Sequence, residues 1–521
     1  MKHSLKFITV IFFVIQAHTQ SVYLDLDHWA YDFIERMEVK GAFKKFDAGI
    51  KPYTREEVAN ILYQIDRQFI ERPNMLSTSE IGRLEQLKGE FYEELRDCNV
   101  KVNSRYHERH LITWQEDGHR ASVDFDVNQK LDVKKGDQFN PAERISETTL
   151  GGILRGNFKQ SLWFTVDVRN TIQRGTDITD ENFDPSQGSP IIIAGENVYS
   201  DRATAYFVWK LPWCSLQFGR DRVKWGPGYH GGLTISKNNP LFDMIKIQTR
   251  FNRFNFVYFH GLLSSQFSRK YLVAHRLELR VASWLYLAGG EALVYGNRGL
   301  EIQYLNPIMP YHVAEHHLGD KDNNMISFDL SAYPVKNLKT YFELLIDDFT
   351  LSENWFRYFG NKFGFMLGSL WVDPFGLKNV DFRVEYTRVE PYVYTHYDSI
   401  NTYVNYDKII GYWAGPNSDD WFIEANYHAT KDIRFRLNWE RIRKGRGDVH
   451  RYHTTADGNR KYFLDGIVER KQLFGFQVRD QLFRDVFLSL NGYLIQTQNA
   501  GHVSGANTFD QQYTFEFSMN Y

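Results

Sequence analysis

The 521-residue chain is rich in rings, with 40 Phe, 31 Tyr and 12 Trp, yet only 43% of it is hydrophobic and 24% is charged. A formal net charge of −2 gives no basic footprint for nucleic acid or for an anionic membrane surface. Many rings on so modest an apolar fraction do not fit a large soluble enzyme, and two cysteines, Cys98 and Cys214, are too few to scaffold the chain and read as unrelated thiols.

In chain order, Lys2 and Lys6, the apolar run from Phe7 to Ile15, and the small residues Ala17 and Thr19 predict an export signal cleaved before Gln20. No cysteine follows the run to carry a lipid anchor, and no later apolar stretch approaches the ~20 residues of a membrane helix. Residues 20–100 have helical periodicity. Trp29, Phe33, Ile34 and Met37 share one face. Thr54 with Glu57, and Ser77 with Glu80, have capping-box spacing ahead of apolar stripes. We expect a unit of about three helices.

From about residue 105 the period changes to two. The segments 122–133, 161–170, 203–211, 254–263, 274–283, 338–348, 379–390, 433–443, 485–496 and 513–521 alternate, many over about ten residues, and Gly, Asn, Asp and Pro separate them. That is the pattern of membrane β-strands, ~9–11 residues each when tilted. Residues 101–521 therefore predict an all-β transmembrane barrel of about 18 antiparallel strands. "LAGGEAL" (287–293) reads as a short periplasmic turn, and 172–200 and 396–420 as extracellular loops. The alternating end "YTFEFSMNY" fits a closing strand, because an unpaired edge in lipid costs several kcal/mol per backbone group.

Two stretches resemble known families. His28-Trp29-Ala30, Ile34, Gly41 and Pro52 through Ala59 resemble one S-layer homology module. Such modules bind wall saccharide in sets, so a single copy points to packing. "GRDRVKWGPGYHGGLTISKNNPLFDMIKI" (219–247) and "GLEIQYLNPIMPYHVAEHHLGDKDNNMISFDLSAYPVKNLKTYFELLIDDF" (299–349) resemble the outer-membrane capsule assembly (Wzi) family. The resemblance implies an 18-stranded outer-membrane barrel with a small periplasmic helical unit. It also implies a non-enzymatic role in binding capsular polysaccharide, with a diffusion channel or a gliding or adhesion component as alternatives. Expected partners are extracellular polysaccharide, outer-membrane lipid and the barrel assembly machinery, with no cofactor and no nucleic acid.

Gly226, Pro227 and Gly228 suit a sharp turn or close backbone approach. Asn306-Pro307 reads as a turn, and Asp347 with Asp348 as a strand end, since neighbouring strand residues face opposite ways. Arg220 and Arg222 are expected to face the lumen. With Trp225 they are candidate ligand contacts, although an interior charge network is the commoner role for such a block. Tyr392, Tyr394, Tyr397, Tyr412, Trp413 and Trp421 are candidates for stacking on sugar rings, set against the membrane-interface role of the same residue types. The cluster Arg441, Arg443, Lys444 and Arg446 reads as a solvated rim. "HVAEH" (312–316) matches an inverted zinc-protease motif, in which His312 and His316 would bind the ion. Pro307 and Pro310 argue against the helix it needs. We expect a loop or a fold into the lumen, without catalysis, and at most a weak metal site at His312, His316 and His317.

Overall fold

The computed structural model describes residues 21–43, 49–96, 100, 102, 110–159, 161–176, 189–194, 197–265, 268–351 and 354–520. The predicted export signal (1–19), Cys98, much of the 172–200 loop and the final Tyr521 lie outside the described residues.

The first unit is helical: α1 (Ala30–Lys40), α2 (Arg55–Glu71), α3 (Thr78–Glu90) and a single turn, α4 (Tyr92–Leu95). Both predicted capping boxes form, Thr54 with Glu57 and Ser77 with Glu80. The apolar stripes meet in one cluster that includes Phe33, Met37, Leu62, Leu87 and Phe91.

The rest is a barrel. Its strands are β1 (His119–Gly136), β2 (Glu143–Phe158), β3 (Leu162–Gly175), β4 (Asn197–Lys210), β5 (Ser215–Asp221) and β6 (Phe242–Phe251). They continue through β7 (Phe254–Leu263), β8 (Lys270–Ala282), β9 (Leu285–Gly296), β10 (Asn323–Val335), β11 (Leu338–Asp348) and β12 (Lys362–Val372). The last are β13 (Val380–Val389), β14 (Ser418–His428), β15 (Ile433–Lys444), β16 (Glu469–Phe483), β17 (Val486–Gln498) and β18 (Thr508–Asn520). These 18 strands pair antiparallel in sequence order, and β18 returns to β1, with Tyr513 opposite Val133. Closure leaves no lipid-facing edge to satisfy. Among the described residues no helix is long and apolar enough to cross a membrane, and the crossing elements are strands.

Alternation follows the pleat. On β18, Phe509 and Phe515 point outward and are exposed, while Asp510 and Thr514 are buried inward. On β5, Phe218 is 63% exposed and its neighbour Gln217 only 1%. One end of the barrel carries tight turns, such as Asn252–Arg253, Ser283–Trp284 and Asn337, and the helical unit packs there. The other end carries long connections, 222–241, 297–322, 390–417 and 445–468.

The structure corrects three expectations. Residues 287–293 are not a turn but the middle of β9, and the turn is at Ser283–Trp284. The two glycines there answer crowding: a Cβ on Gly290 would sit 2.4 Å from the His275 carbonyl oxygen. Arg220 does not face the lumen. It shares the outer face with Phe218 and pairs with Asp243 at 2.8 Å. The strand ends at Asp221, and Arg222 turns inward to Asp25 and Asp27.

The third correction concerns "HVAEH". It is helical, α5 (Tyr311–Leu318), and Pro310 stands at its N-cap, where a missing N–H breaks no helical bond. The connection lies outside the barrel and not in the lumen. Tyr304, Tyr311 and Ala314 cover the outward-facing Tyr258, Tyr271, Val273, Leu293 and Tyr295. The predicted Asn306-Pro307 turn forms within it, the Asn306 side chain accepting the Ile308 N–H at 3.2 Å.

Candidate functional site

The connection 222–241 after β5 folds into the lumen. It brings "KWGPGYHGGL" (224–233) against the wall and against residues 390–417, which enter from the same end. Lys224–Trp225 pairs with Ile50–Lys51 from the helical unit, so three distant stretches meet inside. Trp225 is buried, edge-on to Phe259 at 5.2 Å, within an apolar core that includes Leu233, Ile235, Tyr341 and Met366. One half of the lumen is thus filled like a protein interior.

Two glutamates on the wall hold this insert by its backbone. Glu343 on β11 accepts the N–H of Gly228 at 2.9 Å and of Leu233 at 3.0 Å. Glu385 on β13 accepts the N–H of Tyr229 at 2.8 Å and of His230 at 3.1 Å, and the Tyr341 hydroxyl at 2.6 Å. A carboxylate taking two or more N–H bonds is the strong form of such contacts. The insert itself passes through Gly226 at φ +93°, a conformation that glycine alone adopts readily.

The second insert is tied to the first by tyrosines. The Tyr394 hydroxyl donates to the Leu233 carbonyl at 2.6 Å and Tyr403 donates to the Thr234 carbonyl at 3.0 Å, while Tyr412 donates to Asp420 on the wall at 2.6 Å. The Tyr394 N–H meets Asp347 at 2.5 Å. Asp347 is buried and Asp348 exposed, yet both reach Lys362, at 3.3 and 2.6 Å.

Residue by residue, the sequence candidates therefore divide three ways. Trp225, Tyr394 and Tyr412 are struts of the plug, buried from any outside ligand. Trp421 lies on the outer face of β14, against Tyr386 at 4.7 Å, where a membrane girdle belongs. Tyr397, Tyr392 and Trp413 remain within reach of solvent at the loop end, Tyr397 being 59% exposed. Tyr452 and Tyr462 on 445–468 are exposed at that end too. Sequence reasoning passed over them because that loop shows no density of rings. The basic cluster is largely spent on loop geometry. Arg443 pairs with Asp419, Lys444 donates to the carbonyls of Ala414 and Pro416 at 2.6 and 2.7 Å, and Arg446 pairs with Asp465 at 3.1 Å.

The other half of the lumen is polar. A cavity of about 370 Å3 lies between residues 22–29 and the walls of β1–β5, where Arg155, Arg169 and Arg202 face Asp25, Asp124 and Asp167. A second, of about 360 Å3, lies between Pro227–His230 and the walls of β14–β17.

On the outer connection, the His312 and His316 rings lie 4.3 Å apart, tilted by 60°, on the exposed side of α5, while Glu315 is buried on the other. The glutamate of the protease motif thus points away from its two histidines. Burial, followed by Asp320, Asp322 and Asp348, pushes the Glu315 carboxyl up to about 9. Folded 297–322 therefore holds a proton that the detached segment releases above its ordinary value of 4.5. The sign follows from proton linkage: docking is strongest below 4.5 and weakens as pH rises toward 9. We expect amide exchange over 311–318 to accelerate between pH 5 and 9 beyond its intrinsic base catalysis, and Glu315→Gln to abolish the excess. An excess that persists in the variant contradicts this.

Several known proteins resemble this chain. The profile of the family described as capsule assembly protein Wzi matches residues 132–511. No curated protein sequence matches the chain. Among solved structures, Wzi of Escherichia coli superposes with a TM-score of 0.60 at 14% identity, over 95% of this chain and 99% of that one. It is described as an outer-membrane, carbohydrate-binding β-barrel involved in group 1 capsule assembly. OprD of Pseudomonas aeruginosa (TM-score 0.45, 9% identity, 77% and 94% of the two chains) and OccAB1 of Acinetobacter baumannii (0.46, 8%, 77% and 96%) are more distant. At such identities the likeness is one of fold.

Proposed function

Since this outer-membrane barrel belongs to the Wzi capsule assembly family, we propose that it binds surface polysaccharide at its loop end and helps anchor the capsule layer. The observation that carries the reading is the combination of a lumen half-filled by two tethered inserts with exposed rings at the opposite end from the helical unit. Rings offer flat faces to sugars, and the neighbouring amides and carboxylates satisfy hydroxyls. The barrel acts by binding, without turnover. The tight-turn end and its helices face the periplasm, in keeping with the short periplasmic turns and long outer loops of such barrels. The outer face meets lipid, and the alternating β18 is what the barrel assembly machinery receives.

The test is a binding series on purified protein in detergent with the strain's own extracted polysaccharide, beside deletion of the gene scored for retained surface polysaccharide. Tyr397→Ala and Trp413→Ala are each expected to weaken binding by roughly 5–30-fold, the scale of an aromatic hot spot, with little change in thermal midpoint. Trp225→Ala is expected to cost about 3–5 kcal/mol of stability, as for a buried Trp. Unchanged binding in the double loop variant, or an unaltered polysaccharide layer after deletion, would overturn the proposal.

A further inference from the structure

The insert and the wall also meet in a cluster that the polysaccharide reading leaves unused. His230 comes from the insert, Asp420 from β14 and Glu440 from β15. Their donor atoms lie within 4.8 Å of one another, and no other such group of three occurs among the described residues. His230 Nε2 stands 2.9 Å from Glu440 Oε1 and 3.6 Å from Asp420 Oδ2. We propose that these three side chains bind a divalent metal ion that fastens the luminal insert to the barrel wall.

Four observations support a built site. First, the spacing is right. Metal–ligand bonds of ~2.0–2.1 Å at tetrahedral angles place donors ~3.4 Å apart, and the two measured separations fall on either side of that. Second, Asp420 is only 1% exposed, and its Oδ1 has no hydrogen-bond partner among the described residues, while Oδ2 is already taken by Tyr412. A protonated imidazole would satisfy Glu440 and still leave that oxygen without a protein donor, and buried carboxylate oxygens are usually paired. Third, the imidazole is already oriented. It lies flat on Phe422, with centroids 4.1 Å apart and planes 9° apart, and Trp413 meets it edge-on at 5.7 Å. Ligand pre-orientation of this kind is what metal sites depend on. Fourth, His230 and Glu440 border the cavity of about 360 Å3, so water can complete the coordination. One nitrogen with two carboxylates favours zinc or manganese over calcium or magnesium, which prefer oxygen throughout.

Zinc titrated by calorimetry into chelator-treated protein in detergent provides the test. His312→Ala/His316→Ala serves as the parent, because that exposed pair offers a second landing place for the ion. The parent is expected to bind one zinc ion per barrel, with a raised thermal midpoint and a change in Trp413 emission. On that background His230→Ala should abolish the ion, and Glu440→Gln should weaken it by roughly tenfold or more. Glu440→Gln leaves the insert's own sequence untouched, and heat-modifiable migration shows that its barrel is closed. A parent that binds no zinc overturns the proposal, as does a closed Glu440→Gln or His230→Ala barrel that holds zinc as tightly as the parent.

Discussion

Gly226→Ala is expected to unseat the luminal insert and make the barrel conduct. A Cβ at this position would lie 2.2 Å from Glu343 Oε1 and 2.8 Å from its Cδ, so either the carboxylate or the insert must move. The backbone at φ +93° adds strain of ~1–3 kcal/mol for any side chain. If Glu343 moves, the N–H groups of Gly228 and Leu233 lose their acceptor, at ~1–3 kcal/mol each when buried. If both N–H groups are left unpaired, the sum is about 3–9 kcal/mol, enough to displace the insert. Glu343→Ala should reproduce the effect by removing the acceptor directly. In planar bilayers both variants should show steady conductance several times that of the parent, and both should melt earlier. Equal conductance and equal melting would show that the insert is held by something other than this clamp.

Much of the barrel was legible because lipid on one face and polar lumen on the other force a period of two. On β18, Phe509 and Phe515 face out and Thr514 faces in, as the sequence pattern requires. The helical unit was legible through its capping boxes, which are local. What failed was anything set by a neighbour in space. Gly289-Gly290 has the composition of a turn, yet it is a strand interior thinned to admit Phe328 and the β8 backbone. Pro310 counts against a helix in a sequence and turned out to cap one. The direction in which 297–322 folds depends on a tyrosine-lined patch of outer wall that three strands assemble.

The candidate site was legible in composition only. Trp225, Trp413 and Trp421 are one residue type in three environments: plug core, loop end and membrane girdle. Nothing in the local pattern separates them. The two clamps, Glu343 and Glu385, were missed outright. Each is an ordinary polar position in an alternating strand, and its role exists only because a segment more than a hundred residues earlier presents its N–H groups there.

Arg36→Ala is expected to release the helical unit from the barrel while leaving the barrel closed. Arg36 on α1 is 1% exposed. Its Nε donates to Glu80 at 2.8 Å within the unit. Its two terminal nitrogens reach Asp373 at 2.5 Å, Asp381, and the Val380 carbonyl at 3.2 Å on the barrel. Removing the guanidinium leaves carboxylates buried without their main partner, a loss of about 3–5 kcal/mol. Lys40 also touches Glu80 and Asp373, at 2.7 and 3.4 Å, and recovers part of that. The same interface should be acid-labile. Burial works to raise Glu35 and Asp32, but Arg383 with Lys339, and Arg434 with Arg436, outweigh it and hold both carboxyls below their ordinary values of 4.5 and 3.8. Their contribution is complete above those values and is lost as pH falls through the lower folded ones. Amide exchange and limited proteolysis across residues 30–95 should therefore accelerate in Arg36→Ala at neutral pH, and in the parent only on acidification below about 4, with the strands protected in both cases. Protection of the helices that survives Arg36→Ala would mean that apolar contact, and not this charge hub, holds the unit against the turns of the barrel.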